Sequence, residues 1–262
     1  LAACLVLSPG PKKRPRVWLG RLALGLALVF MAIVLWLTTS GGAQVALVAA
    51  LLCISGVRWA RLRALWLAAV CGLLLLVKAR PSSLGGVLGA IVGSMGWDSR
   101  VEIWSRAWCM IKDMPFTGIG PGAFDYVQPR LYPFSGPWGQ AHHAHNLYLQ
   151  VALDIGLVGL VAYLALLLGA FAAALGAYRR YRAQERGLLA AATLGVFGSL
   201  VVMSLHGLVD AAAWSNKAGL LSWFVIGLAY ALHRYAMEVE WRGHAALCAK
   251  GPATPCCAHQ KP

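Results

Sequence analysis

Three histidines and an asparagine stand where a long polar stretch of the chain becomes an apolar run. They are His142, His143, His145 and Asn146, and the apolar run begins at Leu147. A neutral imidazole can take a proton from a hydroxyl group at physiological pH. The beginning of a helix also has free backbone N–H groups, which favour a bound anion. The junction therefore has the residue types for proton transfer beside an anionic group.

The same junction also has a purely structural interpretation. His145 and Asn146 could cap a transmembrane helix, and Gly156 and Gly159 could let a second helix pack closely against it. Asp154 lies two turns into the apolar run. A carboxylate within a membrane is costly, so we expect this one to have a partner on a neighbouring helix or a role in function. The sequence leaves both interpretations open.

Arginines in the polar stretch before the junction are candidates for binding a phosphate. A guanidinium group can hold a phosphate through two parallel hydrogen bonds. Arg100 has Asp98 and Glu102 close by in the sequence, so a surface salt bridge is the alternative there. The candidates in this stretch are Arg80, Arg100, Arg106 and Arg130.

Two further groups of residues have two interpretations each. His206 and Asp210 are four residues apart and so share a helical face, where they could orient a substrate or cap the helical bundle. Four aromatic residues of the polar stretch could stack on sugars or form an interfacial belt. These are Tyr126, Tyr132, Phe134 and Trp138.

The composition indicates a membrane protein. Of the 262 residues, 60% are hydrophobic and only 12% are charged, whereas soluble domains carry about 25% charge. The formal charge of +14 comes mostly from short clusters between apolar runs, a placement typical of topology signals and of attraction to membrane lipids. This placement argues against nucleic acid as a partner.

The apolar runs predict an all-α fold, a polytopic transmembrane helical bundle with about six spans. The basic clusters alternate with the spans so that all of them fall on one face, which is then cytoplasmic. The predicted order is a cytoplasmic basic segment at 1–16, three transmembrane helices at 17–77, an extracytoplasmic loop at 78–145, three more transmembrane helices at 146–234 and a disordered cytoplasmic tail at 235–262.

The extracytoplasmic loop contains one predicted helix. Residues 97–114 place Val101, Trp104, Trp108 and Ile111 at spacings of three and four, which is an amphipathic stripe. Such a helix is expected to lie on the outer membrane surface with its apolar face down.

No motif for a metal or a cofactor is present. The chain has no phosphate-binding glycine loop, no metalloprotease motif and no paired cysteine spacing among its seven cysteines. We therefore predict chemistry that uses no metal and no cofactor.

Taken together, the motifs resemble the O-antigen ligase family and its Wzy-type polymerase relatives. The similarity rests on His145-Asn146 followed, after nine intervening residues, by Gly156-x-x-Gly159. It also rests on Arg100-x-x-x-Trp104, on the stretch from Met110 to Phe124 (MIKDMPFTGIGPGAF), and on His206-x-x-x-Asp210 followed by Lys217.

The resemblance implies a multi-pass glycosyltransferase of the cytoplasmic (inner) membrane that acts on its outer face. It would move a glycan from an undecaprenyl-diphosphate carrier to a hydroxyl of an acceptor, such as lipid A-core or a growing polysaccharide. By position, His145 would be the general base and Arg100 would hold the diphosphate. The predicted substrate-binding residues are Arg80, Arg106, Arg130, Asn146, His206, Asp210 and Lys217.

The chain departs from the family pattern in two ways. The family has a Ser-Arg pair near the start of the span that begins here at Gly41, where this chain has Ser40-Gly41-Gly42. The possible substitutes for that arginine are Arg80, Arg106 and Lys217. The family also has more spans, so this chain resembles its C-terminal portion. The alternatives to a ligase are a Wzy-like polymerase and, from another class, a small-anion transporter of the bicarbonate type.

Overall fold

The computed structural model describes residues 15–59, 61–64, 66–68, 71–72, 97–135, 141–214 and 219–248. Within these ranges the regular structure is helical and contains no strand, which confirms the predicted all-α class. The helices are α1 (Pro15–Leu37), α2 (Gly41–Arg58), α3 (Trp97–Asp113), α4 (Phe124–Leu131), α5 (Leu147–Ala183), α6 (Gly187–His206) and α7 (Gly219–Cys248), with a 3₁₀ turn at Ala212–Trp214.

Four of the described helices are long and apolar enough to cross a membrane, so the chain is a polytopic membrane protein. They are α2, α5, α6 and the first part of α7, as far as Arg242. Residues Leu22–Leu37 of α1 form a shorter apolar helix. The predicted third span, at 65–77, lies mostly outside the described residues. The tail from residue 235 was predicted to be disordered, but α7 continues through it to Cys248.

The bundle is built around α5, which packs against α6 and α7, while α2 packs on the far side of α6. The core near the start of α5 includes Leu147, Val151 and Leu200, all of them inaccessible to solvent. Small residues such as Ala170 and Ala174 bring the helix backbones close together, as is common in membrane bundles. By contrast, α1 packs against α2 and exposes most of its apolar side chains.

Helix α5 is longer than a membrane requires. Its 37 residues extend about 55 Å, whereas a hydrocarbon core about 30 Å thick needs about 20 residues. Counting back about 20 residues from Tyr178, where the basic end of the helix begins, leads to Val158. Residues 147–157 are thus more than one crossing requires, and we call them the projecting part of α5. Asp154 lies in this part, two turns after the helix begins.

The projecting part of α5 is interrupted at Gly156, which has φ 73° and ψ 177°. The turn after α3 fills this interruption. Ile119 N–H donates to the Leu153 carbonyl (2.6 Å), and Leu157 N–H donates to the Pro115 carbonyl (2.7 Å). Two bonds between separate segments thus replace the single helical bond between residues 153 and 157.

Two glycines make this contact possible. A Cβ on Gly156 would lie 2.1 Å from the Phe116 carbonyl oxygen, and a Cβ on Gly118 would lie 2.3 Å from the Leu153 carbonyl oxygen. Both glycines also have positive φ, which L side chains rarely adopt. We call these paired segments, 115–119 and 153–157, the backbone joint. It connects the turn after α3 with the first turns of α5, which stand on either side of residues 141–146, the histidine loop.

Helix α3 forms almost where it was predicted, but its buried face overlaps the predicted stripe only in part, at Ile111 and the partly buried Trp104. Val101 and Trp108 of the predicted stripe are 46% and 52% exposed. The buried face instead consists of Ser99, Arg100, Ile103, Ala107, Met110 and Ile111. The apolar members of this face pack against the start of α5 and the loop before it. Helix α3 therefore serves as a wall for the histidine loop.

Candidate active site

The histidine loop, residues 141–146, is anchored by the cap of α5. The Asn146 Oδ1 accepts hydrogen bonds from the backbone N–H groups of Tyr148 and Leu149, each at 3.0 Å. Its Nδ2 donates to the carbonyl of Leu208 at 3.0 Å. The capping interpretation is confirmed for Asn146, whose amide is used at both ends to hold the loop between α5 and the end of α6.

His145, next to this cap, has a left-handed backbone with φ 47°. This conformation is uncommon for a residue with a side chain, and such strain gathers at functional sites. The His145 ring lies against the His143 ring, with the ring centres 4.0 Å apart and the ring planes inclined by 50°. His145 is therefore not the capping residue that one interpretation of the sequence suggested.

Helix α3 holds the loop from the other side through two side chains one turn apart. The Trp104 Nε1–H donates to the Ala144 carbonyl at 3.0 Å. The Arg100 Nη1 donates to the His145 carbonyl at 3.4 Å and also to the Val209 carbonyl. The Arg100-x-x-x-Trp104 motif thus places two donors on one helical face, both directed at the histidine loop.

Arg100 is only 8% exposed, so the alternative of a surface salt bridge is wrong. Its guanidinium links the histidine loop to the segment after α6, across 45 and 109 residues of sequence respectively. Burial lowers the pKa of Arg100 and the nearby Asp210 carboxylate raises it, but a guanidinium remains charged at any physiological pH. The structure therefore places a buried positive charge beside His145.

Asp210 lies between two histidines. Its Oδ1 is 4.0 Å from the His143 Nε2, and its Oδ2 is 3.6 Å from the His206 Nε2. The shared face predicted for His206 and Asp210 is confirmed, because the Asp210 N–H also donates to the His206 carbonyl. We define the histidine cluster as Arg100, His143, His145, His206 and Asp210.

One hydrogen bond determines the tautomer of His143. The His145 backbone N–H donates to the His143 Nδ1 at 3.1 Å, so this nitrogen is an acceptor and carries no proton. A neutral His143 then carries its proton on Nε2, the nitrogen that faces Asp210. His143 is therefore oriented by one neighbour on each side.

The surroundings of the two stacked histidines favour their neutral forms. Burial lowers the pKa of His145 to about 4, and the neighbouring His143 and Arg100 contribute in the same direction, while Asp210 opposes them. Burial also lowers the pKa of His143. At neutral pH the His145 ring is therefore a free base that can accept a proton.

His143, His145 and Asp210 are also the one described group that could hold a metal ion, since one ligand atom from each lies within 4.8 Å of the others. The tautomer of His143 bears on this possibility. Its Nε2 can ligate a metal only if Nδ1 gives up the bond that it accepts from His145 and takes the proton itself. As folded, the donor set fits a metal poorly.

A second polar network connects the histidine loop to the first turns of α5 and to the 3₁₀ turn. Asp154 accepts hydrogen bonds from the Gln150 Nε2 (2.9 Å) and the Trp214 Nε1 (2.8 Å). The Gln150 Oε1 in turn accepts the Ala144 N–H at 2.8 Å. Asp154, 5% exposed, therefore has the structural partner that one interpretation anticipated, although that partner lies on the 3₁₀ turn.

Other predicted substrate-binding residues have their contacts elsewhere. Arg106 pairs with Glu102 and donates to the Ser135 hydroxyl, while Arg130 lies over the Tyr126 ring and donates to its carbonyl. Arg80, Lys217 and Trp138 lie outside the described residues. Of the predicted set, the structure brings together Arg100, His145, Asn146, His206 and Asp210.

Sequence reasoning did not assign roles to His143, Trp104, Gln150 and Trp214. The alternation of His143 and His145 was a usable signal, since a turn can bring such residues into ring contact. Trp104 was noted only as part of a motif. Trp214 had no signal in the sequence, because its partner Asp154 is 60 residues away.

Comparison with protein families gives one match. The family model described as O-antigen ligase (Wzy_C) matches residues 26–164, more than half of the chain. The matched range includes α2, α3, the backbone joint and the histidine loop, but neither His206 nor Asp210. A comparison with curated proteins finds no matching sequence.

Proposed function

Because the chain belongs to the O-antigen ligase family, we propose that it is a membrane glycosyltransferase that moves a glycan from an undecaprenyl-diphosphate carrier to a hydroxyl of an acceptor. One observation carries the proposal. Arg100 and His145, 45 residues apart in sequence, meet in one half-buried cluster, the first charged and the second a free base.

The mechanism follows from these two groups. The acceptor oxygen attacks the anomeric carbon of the donor sugar while the His145 imidazole takes the hydroxyl proton. The bond between that carbon and the diphosphate oxygen breaks, and the diphosphate leaves with its electron pair. The Arg100 guanidinium stabilises the negative charge that develops there, as preorganised cations do in many enzymes. Protons and charge balance without a metal or a cofactor.

The remaining members of the histidine cluster position these groups. The His143 ring lies against the His145 ring, and its Nδ1 accepts a hydrogen bond from the His145 backbone N–H. His143 therefore holds in place the ring that acts as base. His206 and Asp210 border the same space and are proposed to orient the acceptor. Arg106 and Arg130 are not included in the mechanism, because their contacts are with Glu102, Ser135 and Tyr126.

The extracytoplasmic face of the inner membrane is the proposed location of the reaction. The projecting end of α5 that bears the histidine loop is opposite the basic end of the same helix, at Arg179 to Arg186. Basic ends face the cytoplasm in multi-pass proteins. A carrier anchored in the membrane by a long lipid would present its diphosphate at this height.

Glycan transfer in cells that lack their own O-antigen ligase tests the proposal. We expect His145→Asn to lower the rate of transfer by about 100-fold or more, the usual contribution of a general base. Asparagine is the suitable replacement because it tolerates the left-handed backbone at this position. Arg100→Lys, which keeps the charge but loses the planar fork, is expected to be strongly impaired as well.

His142→Asn is the matched control. The side chain of His142 is 75% exposed and pairs with Asp125, away from Arg100. Wild-type transfer by His145→Asn, at equal membrane levels, would refute the assignment of the base. The product identifies the acceptor: glycan on lipid A-core indicates a ligase, and longer polysaccharide on the carrier indicates a polymerase.

The transporter alternative gains no support from the fold. Transporters of that kind bind their substrate between two broken helices near the middle of the membrane. The described residues contain one such break, at Gly156, and the backbone of Pro115 and Phe116 fills it.

A further inference from the structure

A cavity of about 600 Å³ lies at the opposite end of the bundle from the histidine cluster. Three arginines line it: Arg63, Arg179 and Arg182. None of the described residues that line it is acidic. Its volume is within the range of sites that bind small molecules.

The walls of the cavity come from two segments of the chain. The segment after α2 folds back along that helix, because the Trp66 Nε1–H donates to the Ser55 hydroxyl at 2.8 Å. Gly56 allows this close return, since a Cβ there would lie 3.1 Å from the Arg63 Cγ. The last turns of α5 supply Arg179 and Arg182. The arginines of the cavity therefore come from two segments that pack together, and not only from successive turns of one helix.

The other residues of the lining are apolar or aromatic. Leu175 lies one helical turn before Arg179 on α5, and Val57 is on α2. The buried Tyr178 has its hydroxyl 3.5 Å from the Arg182 Nη1. The cavity thus combines cationic with apolar side chains, and a free phosphate ion would leave the apolar side chains unused.

Few carboxylates are available to neutralise these arginines. Among the described residues, the ion pairs at this end of the bundle join Arg180 to Glu240 and Arg242 to Glu238, and neither arginine lines the cavity. Glu185 borders an adjoining cavity of about 360 Å³, where Arg58 is also present. The larger cavity therefore keeps an excess of positive charge.

We propose that this cavity binds the headgroup of an anionic phospholipid, with its phosphodiester on the three arginines and the first carbons of its acyl chains on Val57 and Leu175. The height of the cavity fits this ligand, because the hydrocarbon span of α5 ends near Tyr178. Basic pockets between transmembrane helices on the cytoplasmic side favour such headgroups. The proposal is independent of the glycan-transfer reaction.

The test is lipid binding to the purified full chain in detergent, measured by native mass spectrometry. Phosphatidylglycerol is compared with phosphatidylcholine of the same acyl chains, and glycerol phosphate serves as the soluble form of the headgroup. The wild type is expected to bind phosphatidylglycerol more tightly than the other two. Each of Arg63→Gln and Arg179→Gln is expected to weaken that binding about fivefold, the contribution of one basic residue near an anionic headgroup.

Arg234→Gln is the matched control, since Arg234 is an exposed arginine of α7 that does not line the cavity. It should bind phosphatidylglycerol as the wild type does. Arg63→Lys and Arg179→Lys retain the charge and should lose less affinity than the glutamine variants, which separates a loss of binding from a loss of folding.

Three outcomes would overturn the proposal. The first is equal affinity for the two lipids. The second is an equal loss in Arg234→Gln and in the cavity variants. The third is binding of glycerol phosphate as tight as that of phosphatidylglycerol, which would assign the cavity to a soluble phosphate compound.

Discussion

At the scale of single residues, His145 shows how a backbone conformation and a side-chain function depend on each other. Its positive φ brings the imidazole over His143 and leaves its carbonyl to Arg100. The sequence motif predicts that His145 is important, and the offset from the glycines singles it out from its two neighbours. The left-handed backbone had no signal, since it arises from contacts with residues far along the chain.

The low pKa of His145 predicts an unusual pH dependence. The base is active when neutral, so kcat/KM for transfer should fall only as the pH drops through about 4, whereas an ordinary histidine would give a midpoint near 6.5. Between these two values the unfolded chain binds more protons, so the stability of the fold should also decrease as the pH falls through that window. A pH–rate profile on isolated membranes, with both substrates well below saturation, measures the first effect. A midpoint of 6.5 would contradict the burial of the ring.

The hydrogen bond from Trp214 to Asp154 predicts a loss of stability on removal. Trp214→Phe keeps the aromatic contacts but removes the N–H donor to a buried carboxylate, at a cost of about 1.5–3 kcal/mol. Thermal unfolding of the purified protein measures this loss. Trp223→Phe is the control, because Trp223 is 44% exposed and stacks near the same ring. Equal effects of the two substitutions would argue against the network.

At the scale of elements, the sequence predicted where helices occur better than which faces they bury. Apolar runs set the positions of α1, α2, α5 and α6 to within a few residues, because membrane helices satisfy their backbones internally. For α3 the count of apolar residues selected Val101 and Trp108, but the small Ala107 and the buried Arg100 define the face that meets the rest of the protein. That face packs against the histidine loop, which is more than 25 residues farther along the chain, so the sequence of α3 alone does not reveal it.

The interruption of α5 was missed for a related reason. Gly156 and Gly159 have the spacing of a helix-packing motif, and the structure uses the first of them to break the helix. The usable signal was elsewhere, in the closely spaced glycines of the turn that fills the break, such as Gly118, because glycine adopts a positive φ readily. Only the contact between the two segments makes their meaning plain.

The backbone joint predicts strong sensitivity at one glycine. Gly156→Ala imposes a side chain on a positive φ, at about 1–3 kcal/mol, and its Cβ would also overlap the Phe116 carbonyl. We expect a clear drop in the unfolding temperature and in the amount of folded protein. Gly227→Ala in α7 is the control, since a Cβ there meets nothing within 4 Å and alanine favours a helix by up to about 1 kcal/mol. A Gly156→Ala variant as stable as the control would show that the joint is dispensable.

At the scale of the whole molecule, the two proposed sites lie at opposite ends of one bundle. The histidine cluster is at the projecting end of α5, and the arginine-lined cavity is at its basic end. This arrangement predicts the sidedness of the chain. With the native cysteines replaced, His142→Cys should react with an impermeant thiol reagent from outside intact spheroplasts, and Arg242→Cys should react only after permeabilisation. The reverse pattern would invert the proposed topology.

The backbone joint has a consequence for folding. The Leu157 N–H and the Leu153 carbonyl do not form the helical hydrogen bond with each other. Each is hydrogen-bonded only when the segment with Pro115 and Ile119 packs against α5. Residues 115–119 follow directly on α3, the helix that carries Arg100. A chain in which α3 has not docked therefore keeps two unmatched peptide groups inside α5. In this way the joint makes completion of α5 conditional on the arrival of the helix that supplies the other side of the histidine cluster.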